Sequence, residues 1–368
     1  MVNIIPMAGE GSRFAEAGYI LPKALVPVSG KPMIVRVIEA LPKSDKSIFI
    51  VRQEHIDKYQ VDKLIKKECA NAIVIPVSQT TEGQASTCML AMPYLDPDDD
   101  MFIAACDNSF VFDYKKFADL KKDQSIDAVI WTFTKNKLLS ESPKSWGWVK
   151  LEDDGCTIKD MSVKIPVSEN PFNDHAVVAT FYFKKAAQFK DAYELMVKEN
   201  YRINNEFYVD SFPIFYKKLG LRSVIFDVDL YIGWGKPKDL YIYDEREYCY
   251  RHGLVKQDGA RERDLWKKYF TKLKWIMLYI IHRVNKIERL KTLPEKYGVE
   301  IDIRGYGDKM LLNHDPIDRP EKYDELEGYL KNFHHAFIVF NVKEAGYEQR
   351  IINLAKKYGI ENYFFLDV

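Results

Sequence analysis

The first 133 residues repeat one pattern: a short run of aliphatic and β-branched residues, then an amphipathic stretch. Runs at 3–7, 47–51, 72–77, 101–105 and 128–133 read as strands, and 31–41, 86–92 and 114–122 carry apolar residues at helical spacing between them. Parallel neighbours need crossover connections, which helices supply. The rhythm therefore predicts an α/β fold, a doubly wound, mostly parallel sheet covered by helices. After Trp146 the pieces shorten. Segments 147–151 and 177–183 read as hairpin-like strands around the Asp153-Asp154-Gly155 turn, followed by helices at 187–199 and 210–219, an inserted substrate-binding subregion.

At 368 residues the chain exceeds the size at which one core stops growing, so two units are expected. Charge-dense segments 244–247 and 258–263 mark the junction, with a helix at 265–274. The expected division is a domain at 1–245, a charged and helical linker at 246–274, and a smaller α/β domain at 275–368. Strands of the latter are read at 275–281, 299–303, 309–313, 336–342 and 363–367.

The 54 basic and 54 acidic residues cancel, which removes the whole-chain positive field of a dedicated nucleic-acid binder. Cys69, Cys88, Cys106, Cys156 and Cys249 have no C-x-x-C spacing, so reduced thiols and a cytoplasmic location are expected. The N-terminus resembles no secretion signal. The longest apolar run of the second half, 275–281, is far short of the ~20 residues of a spanning helix. Self-association is left open.

Gly9-Glu10-Gly11-Ser12-Arg13-Phe14 follows the first strand directly. Glycines there let Ala8, Gly9, Gly11 and Ser12 curl backbone N–H groups around phosphate oxygens, and Arg13 adds a guanidinium fork. The loop is neither a Walker sequence nor a dinucleotide fingerprint. Close behind comes Leu21-Pro22-Lys23-Ala24-Leu25-Val26-Pro27. Together these segments resemble the signature of the sugar-1-phosphate nucleotidyltransferases, the nucleoside-diphosphate-sugar pyrophosphorylases, over about residues 1–245. Thr81-Glu82-Gly83-Gln84-Ala85 is similar to that family's base-recognition loop, and Ala105-Cys106-Asp107-Asn108 to its strand-end metal aspartate. Trp234-Gly235-Lys236-Pro237-Lys238-Asp239-Leu240 resembles its closing Gly-Thr-Pro-Glu-Asp-Leu element.

The resemblance implies attack of a phosphomonoester oxygen on the α-phosphorus of an NTP, with Mg²⁺ as cofactor and a phosphorylated sugar or polyol as acceptor. Arg13 and Lys23 are the candidates for spreading the developing charge, and Asp107 for holding the metal. Gln84 can pair with a pyrimidine edge or simply start a helix, and Gly83 lets a base approach the main chain, so CTP or UTP is favoured. Lys164 resembles the family lysine that grips the acceptor phosphate. Asn205 and Glu206 lie in a loop that either contacts acceptor hydroxyls or caps a helix. Where the family places a second metal carboxylate this chain has Ile232-Gly233-Trp234, and Asp229 or Asp227 is the expected substitute.

In the second unit, His282-Arg283, then Glu300 and Asp302, then His314-Asp315 resemble the start of the glycerophosphodiester phosphodiesterases. Period-2 spacing puts Glu300 and Asp302 on one strand face, while two histidines can serve as base and acid. Asn341-Val342-Lys343 resembles that family's Glu-x-Lys, with Asn341 replacing the carboxylate. The residues after Lys274 are too few for a (β/α)₈ barrel of ~200–250 residues, so a partial barrel or another α/β arrangement is expected. His334 and His335 read as non-catalytic.

Overall fold

In the computed structural model, which describes residues 1–251, 253–254, 259–273, 280–295 and 297–366, the chain divides into a first unit, Met1–Lys274, and a second, Trp275–Val368. The first contains β1 (Val2–Met7), β2 (Pro27–Val28), β3 (Lys31–Pro32), β4 (Lys46–Arg52), β5 (Ala72–Val77), β6 (Met101–Ala104) and β7 (Asn108–Val111). Then come β8 (Ala128–Phe133), β9 (Gly147–Leu151), β10 (Ile158–Val163), β11 (His175–Phe183), β12 (Ser223–Asp227) and β13 (Leu230–Gly233).

Nine of these strands make one sheet. β6, β1, β4 and β5 lie side by side and parallel, and β12 runs parallel to β8. β11 is antiparallel to both β6 and β8 and joins the two groups. Alternating side chains explain why both faces are covered. Ile4, Ile48 and Ile50 enter one core with Ala85, Phe189 and Phe212, whereas Ile5, Phe49 and Val51 enter another with Ile34, Val37 and Ile65. The sheet is thus mostly parallel and helix-covered, as its rhythm predicts.

Two local features place the site. β11 bends at Ala179, whose φ is 55°, so residues 180–183 pair with β6 while His175 and Ala176 pair with β9. That bend brings the β9–β10 hairpin beside the C-terminal end of β6, where open parallel sheets bind ligands. β7 and β13, neither of them expected, pair with each other just after β6, with Gly233 opposite Asn108. The Asp153-Asp154-Gly155 turn links β9 to β10 rather than to β11. Asp154 holds it by accepting from the Cys156 and Thr157 N–H groups at 3.0 and 2.8 Å.

The segment read as a linker is instead part of the first unit. Helix Pro237–Arg251 runs through its start, and in helix Ala260–Lys272 the residues Trp266, Tyr269 and Phe270 are buried against Trp234, Leu240 and Tyr243. Spacings of three and four residues put those aromatics on one face, an apolar stripe inside a charge-rich sequence.

The second unit holds β14 (Ile280–Ile281), β15 (Gly298–Tyr306), β16 (Lys309–Leu312), β17 (Phe337–Val342) and β18 (Tyr363–Leu366). β14, β15, β17 and β18 are parallel in that order, and β16 folds back antiparallel on β15. The order does not return to β14, so the described sheet is open. Most of the strand expected at 275–281, and residue 367 of the last, lie outside the described residues. No described helix is long and apolar enough to cross a membrane.

Candidate active site

The phosphate loop leaves the C-terminal end of β1. Gly11 has φ 65°, a left-handed conformation that starts the helix Ser12–Glu16, and a β-carbon there would come 3.3 Å from Lys23 Cβ. Phe14 is buried and anchors this helix. Lys23 opens a 3₁₀ turn, Lys23–Leu25, closed by the Leu25 N–H on the Pro22 carbonyl at 2.8 Å. The β2–β3 hairpin behind it is braced by the buried Arg36, which donates to the Val28 carbonyl at 3.0 Å and to the Ser29 carbonyl. Lys23 is therefore held in place, and its ammonium pairs with Asp107. Burial alone would push the Lys23 pKa down, but Asp107 outweighs it and the group lies above the ordinary lysine value.

These pieces enclose a cavity of about 530 Å³. Ala8, Gly9, Gly11, Ser12, Arg13 and Lys23 line one side, and Gly83, Gln84 and Glu206 another. Gly83 has φ 122° and ψ 177°, a conformation essentially reserved for glycine, and a β-carbon on it would stand 2.7 Å from both the N and O of Phe207. Phe207 thus fills the side of Gly83 where a side chain would stand, while Gly83 itself still lines the cavity. Phe207 N–H donates to Glu82 O at 2.8 Å, and Ala85 N–H to Phe207 O at 3.0 Å. Glu82 itself does not line the cavity. Its exposed carboxylate accepts from Arg202 at 2.8 Å.

Asp107 sits between β6 and β7, and its carbonyl accepts the Trp234 N–H at 2.9 Å. Asp229 does not reach it. The β7–β13 register places Asp229 at the far end of the pair, roughly 13 Å along the strand, where it meets Arg261 at 3.2 Å. Asp227 is taken by Thr132 at 2.7 Å and His175 at 3.0 Å. The carboxylate that does face Asp107 is Asp239. A β-carbon on Gly235 would lie 3.3 Å from Asp107 Oδ2 and 4.0 Å from Asp239 Oδ2, so glycine keeps the gap between the two acids clear. Burial raises the Asp239 pKa, and the charge of Asp107 adds to it. At Gly233 a side chain is excluded by Tyr231, whose Oη lies 2.7 Å from the β-carbon position. Two hard carboxylates beside a phosphate loop fit a divalent cation such as Mg²⁺. Among the described residues no three His, Cys, Asp or Glu side chains are grouped to hold a metal ion.

On the acceptor side, Lys164 has φ 67°, its N–H bonds the Trp146 carbonyl at 2.8 Å, and its Nζ lies 3.5 Å from Tyr208 Oη. Burial and a hydrogen bond to Glu206 raise the Tyr208 pKa, and Arg13 and Asp210 also act on it. Tyr208 thereby links the cavity to Lys164. Asn205 has φ 63° in a turn where its main-chain carbonyl accepts from Arg202 at 3.1 Å. Tyr208, Asp210, Tyr231 and Asp239 were not among the expected site residues. Tyr208 and Asp239 do lie inside the segments read as acceptor loop and closing element.

In the second unit the strand ends bring most of the expected group together. His282 Nδ1 lies 3.4 Å from Glu300, which also accepts the Arg283 N–H and Asn341 Nδ2, both at 2.8 Å. Asp302 is paired with Lys343 at 3.2 Å and accepts from Asn285 at 2.9 Å. His314 stands apart from this group in its contacts. Its Nδ1 faces Asp315 at 2.9 Å and its carbonyl accepts from Arg304.

Residues 3–133 match the family model described as the MobA-like NTP transferase domain. Mannose-1-phosphate guanyltransferase of Debaryomyces hansenii is 27% identical over 243 residues, 65% of this chain and 62% of that protein. The chain thus spans less than two thirds of the length of the curated relatives it matches. Two solved structures share the fold. The nucleoside-diphosphate-sugar pyrophosphorylase of Vibrio cholerae superposes with TM-score 0.52 at 20% identity, over 66% of this chain and 99% of that one. The inositol-1-phosphate CTP transferase of T. maritima gives 0.50 at 17%, over 66% and 93%. The resemblance read from the phosphate loop and the Pro-Lys segment agrees with these matches. None of the proteins named bears on the phosphodiesterase resemblance of the second unit.

Proposed function

We propose that the first unit transfers a nucleotidyl group from an NTP, with CTP or UTP preferred, to a phosphorylated sugar or polyol. Pyrophosphate leaves, and the activated product serves capsule or other surface-polysaccharide synthesis from the cytoplasm. One observation carries this reading: a glycine-turned phosphate loop, the cations Arg13 and Lys23 and the carboxylate of Asp107 border or adjoin one cavity, and Lys164 joins it through Tyr208.

In the reaction an acceptor phosphate oxygen forms a bond to the α-phosphorus as the α–β bridging bond breaks in line. Little covalent work falls to the protein. Arg13 and Lys23 position the triphosphate and spread the charge of the departing pyrophosphate, and Lys164 holds the attacking phosphate against its like-charged partner. Asp107 and Asp239 would hold Mg²⁺, whose charge screens the phosphates. Lys23, whose ammonium stands beside Asp107, is placed at the cavity to meet the phosphates. The pyrimidine preference has its support in Gln84, whose amide at the cavity offers a donor and an acceptor side by side. The guanyltransferase relatives keep GTP in the comparison.

A second reading, phosphate-ester hydrolysis by the second unit, is favoured by the meeting of His282, Glu300, Asp302 and Lys343 at the strand ends. A pyrophosphate-release screen crossing CTP, UTP, dTTP, ATP and GTP with sugar and polyol phosphates separates the two. Release requiring both substrates supports transfer. Ester cleavage without NTP that disappears in His282→Ala supports hydrolysis instead.

A further inference from the structure

The β2–β3 hairpin carries a buried hydroxyl whose partners lie more than 200 positions away in the chain. Its turn is Ser29-Gly30, with φ 47° and 76°. Left-handed backbone strains a residue with a β-carbon, and asparagine or glycine would suit position 29 better. Serine supplies a donor there. With its one hydrogen given to Glu247 Oε2 at 2.7 Å, Ser29 Oγ accepts the Tyr243 hydroxyl at 2.6 Å. Glu247 is 7% exposed, and its other oxygen accepts from Arg251 Nε at 2.8 Å. The rings of Trp266 and Phe270, from helix Ala260–Lys272, stand 6.3 and 5.7 Å from the Tyr243 ring and close the network off from water. On the same helix, the Tyr269 hydroxyl faces those of Tyr243 and of Ser109, two residues beyond Asp107. In so dry a place a bonded polar network holds one arrangement of the elements it joins.

Those elements carry the site. Asp239, Tyr243 and Glu247 follow at spacings of four on helix Pro237–Arg251, so the side that presents Asp239 towards Asp107 also reaches Ser29. At the other end, the hairpin continues from the Lys23–Leu25 turn, and the Met33 N–H closes it on the Val26 carbonyl at 2.9 Å. Ser29 is therefore where the segment bearing Lys23 is fastened to the helix bearing Asp239.

We propose that Ser29, Tyr243 and Glu247 are positioning residues, a buried clamp that fixes the Lys23 ammonium against Asp107 and Asp239. None of the three lines the cavity. The inference rests on the transferase reading and adds to it a support that helix Ala260–Lys272 completes.

The test uses the full chain with Ser29→Ala and Tyr243→Phe, each of which removes one hydroxyl and little volume, and the substrate pair found by the screen. Expected is a kcat about 10-fold lower in either variant and no lower in the double variant, since both changes break one network. Both KM values should stay within about threefold of wild type, because charge spread by Lys23 counts most in the transition state. In a Lys23→Ala background Ser29→Ala should cost nothing further, as a residue acting through Lys23 requires. An unchanged kcat overturns the proposal, and so does an equal loss in the Lys23→Ala background, the signature of general loosening. Acylation of lysines followed by mass spectrometry gives a readout free of activity. Lys23, shielded by Asp107, should label about 10-fold faster in Ser29→Ala, with the paired Lys46 and Lys121 unchanged. If wild type releases no pyrophosphate with any pair, the transferase reading fails and labelling decides the clamp: selectively faster labelling of Lys23 upholds it, and unchanged or uniformly faster labelling overturns it.

Discussion

Replacing Gly83 by alanine should cost the first unit about 3 kcal/mol. Its φ of 122° and ψ of 177° lie in a region where any residue with a β-carbon is strained by about 1–3 kcal/mol. The new methyl would also stand 2.7 Å from the Phe207 N and O, and both are backbone atoms engaged in hydrogen bonds with the strand of chain at 82–85, so neither can swing away. Overpacking of that kind adds about 1–3 kcal/mol. For a unit of this size a cost of about 3 kcal/mol, within the combined range, corresponds to a drop in melting temperature of roughly 6–12 °C. Because Gln84 and Glu206 flank the contact, NTP binding should weaken as well. Thermal unfolding followed by circular dichroism, with calorimetric titration of NTP, reads both effects. A variant that melts within about 2 °C of wild type would refute the claim that the two loops are pressed together at Gly83.

Asp107→Asn should lower turnover about 1000-fold with a much smaller loss of NTP affinity, because charge stabilisation counts most in the transition state. Steady-state kinetics beside nucleotide binding checks it, and unchanged turnover would remove Asp107 from the site. Lys164→Ala should raise the acceptor KM by about 10- to 150-fold, from a charge-assisted contact of about 1.5–3 kcal/mol, and leave NTP binding without acceptor unaltered. Asp210→Asn should stabilise the fold at pH 7. The native carboxyl, shifted from 3.8 to about 6, binds more protons folded than unfolded, so its penalty is full above about pH 6, shrinks as pH falls, and is gone below 3.8. Melting curves of both proteins at pH 4, 5, 6 and 7 should converge toward the acid end.

Strands β5, β8 and β9 and helix Tyr114–Lys122 were legible residue for residue, because their apolar periodicity was undisturbed and Asp113 caps the helix through the Lys115 and Lys116 N–H groups. β7 and β13 were not legible. Each has four residues, and its partner lies more than a hundred positions away, so only tertiary pairing makes them strands. β10 carries Lys159 and Asp160 side by side, which breaks the period-2 pattern, and it lies at a sheet edge.

The phosphate loop, Lys23, Asp107 and Lys164 could be read because a local motif carries each. Glu82 and Asp229 had plausible types and positions, but Arg202 and Arg261 pair with their carboxylates, and such long-range pairings leave no mark on the local sequence. The same holds in reverse for Asp210, Tyr231 and Asp239, which gain their positions when β9, β13 and the helix from Pro237 close around Asp107 and Lys164.

The central claim is transfer of the α-phosphoryl nucleotide, and label transfer tests it most directly. The protein is incubated with Mg²⁺, a phosphomonoester acceptor and CTP or UTP carrying ³²P at either the α or the γ position. The account predicts that α-label appears in an acceptor conjugate and γ-label only in pyrophosphate, both lost in Asp107→Asn. Label from the γ position in the acceptor, or in free orthophosphate without a conjugate, would contradict it.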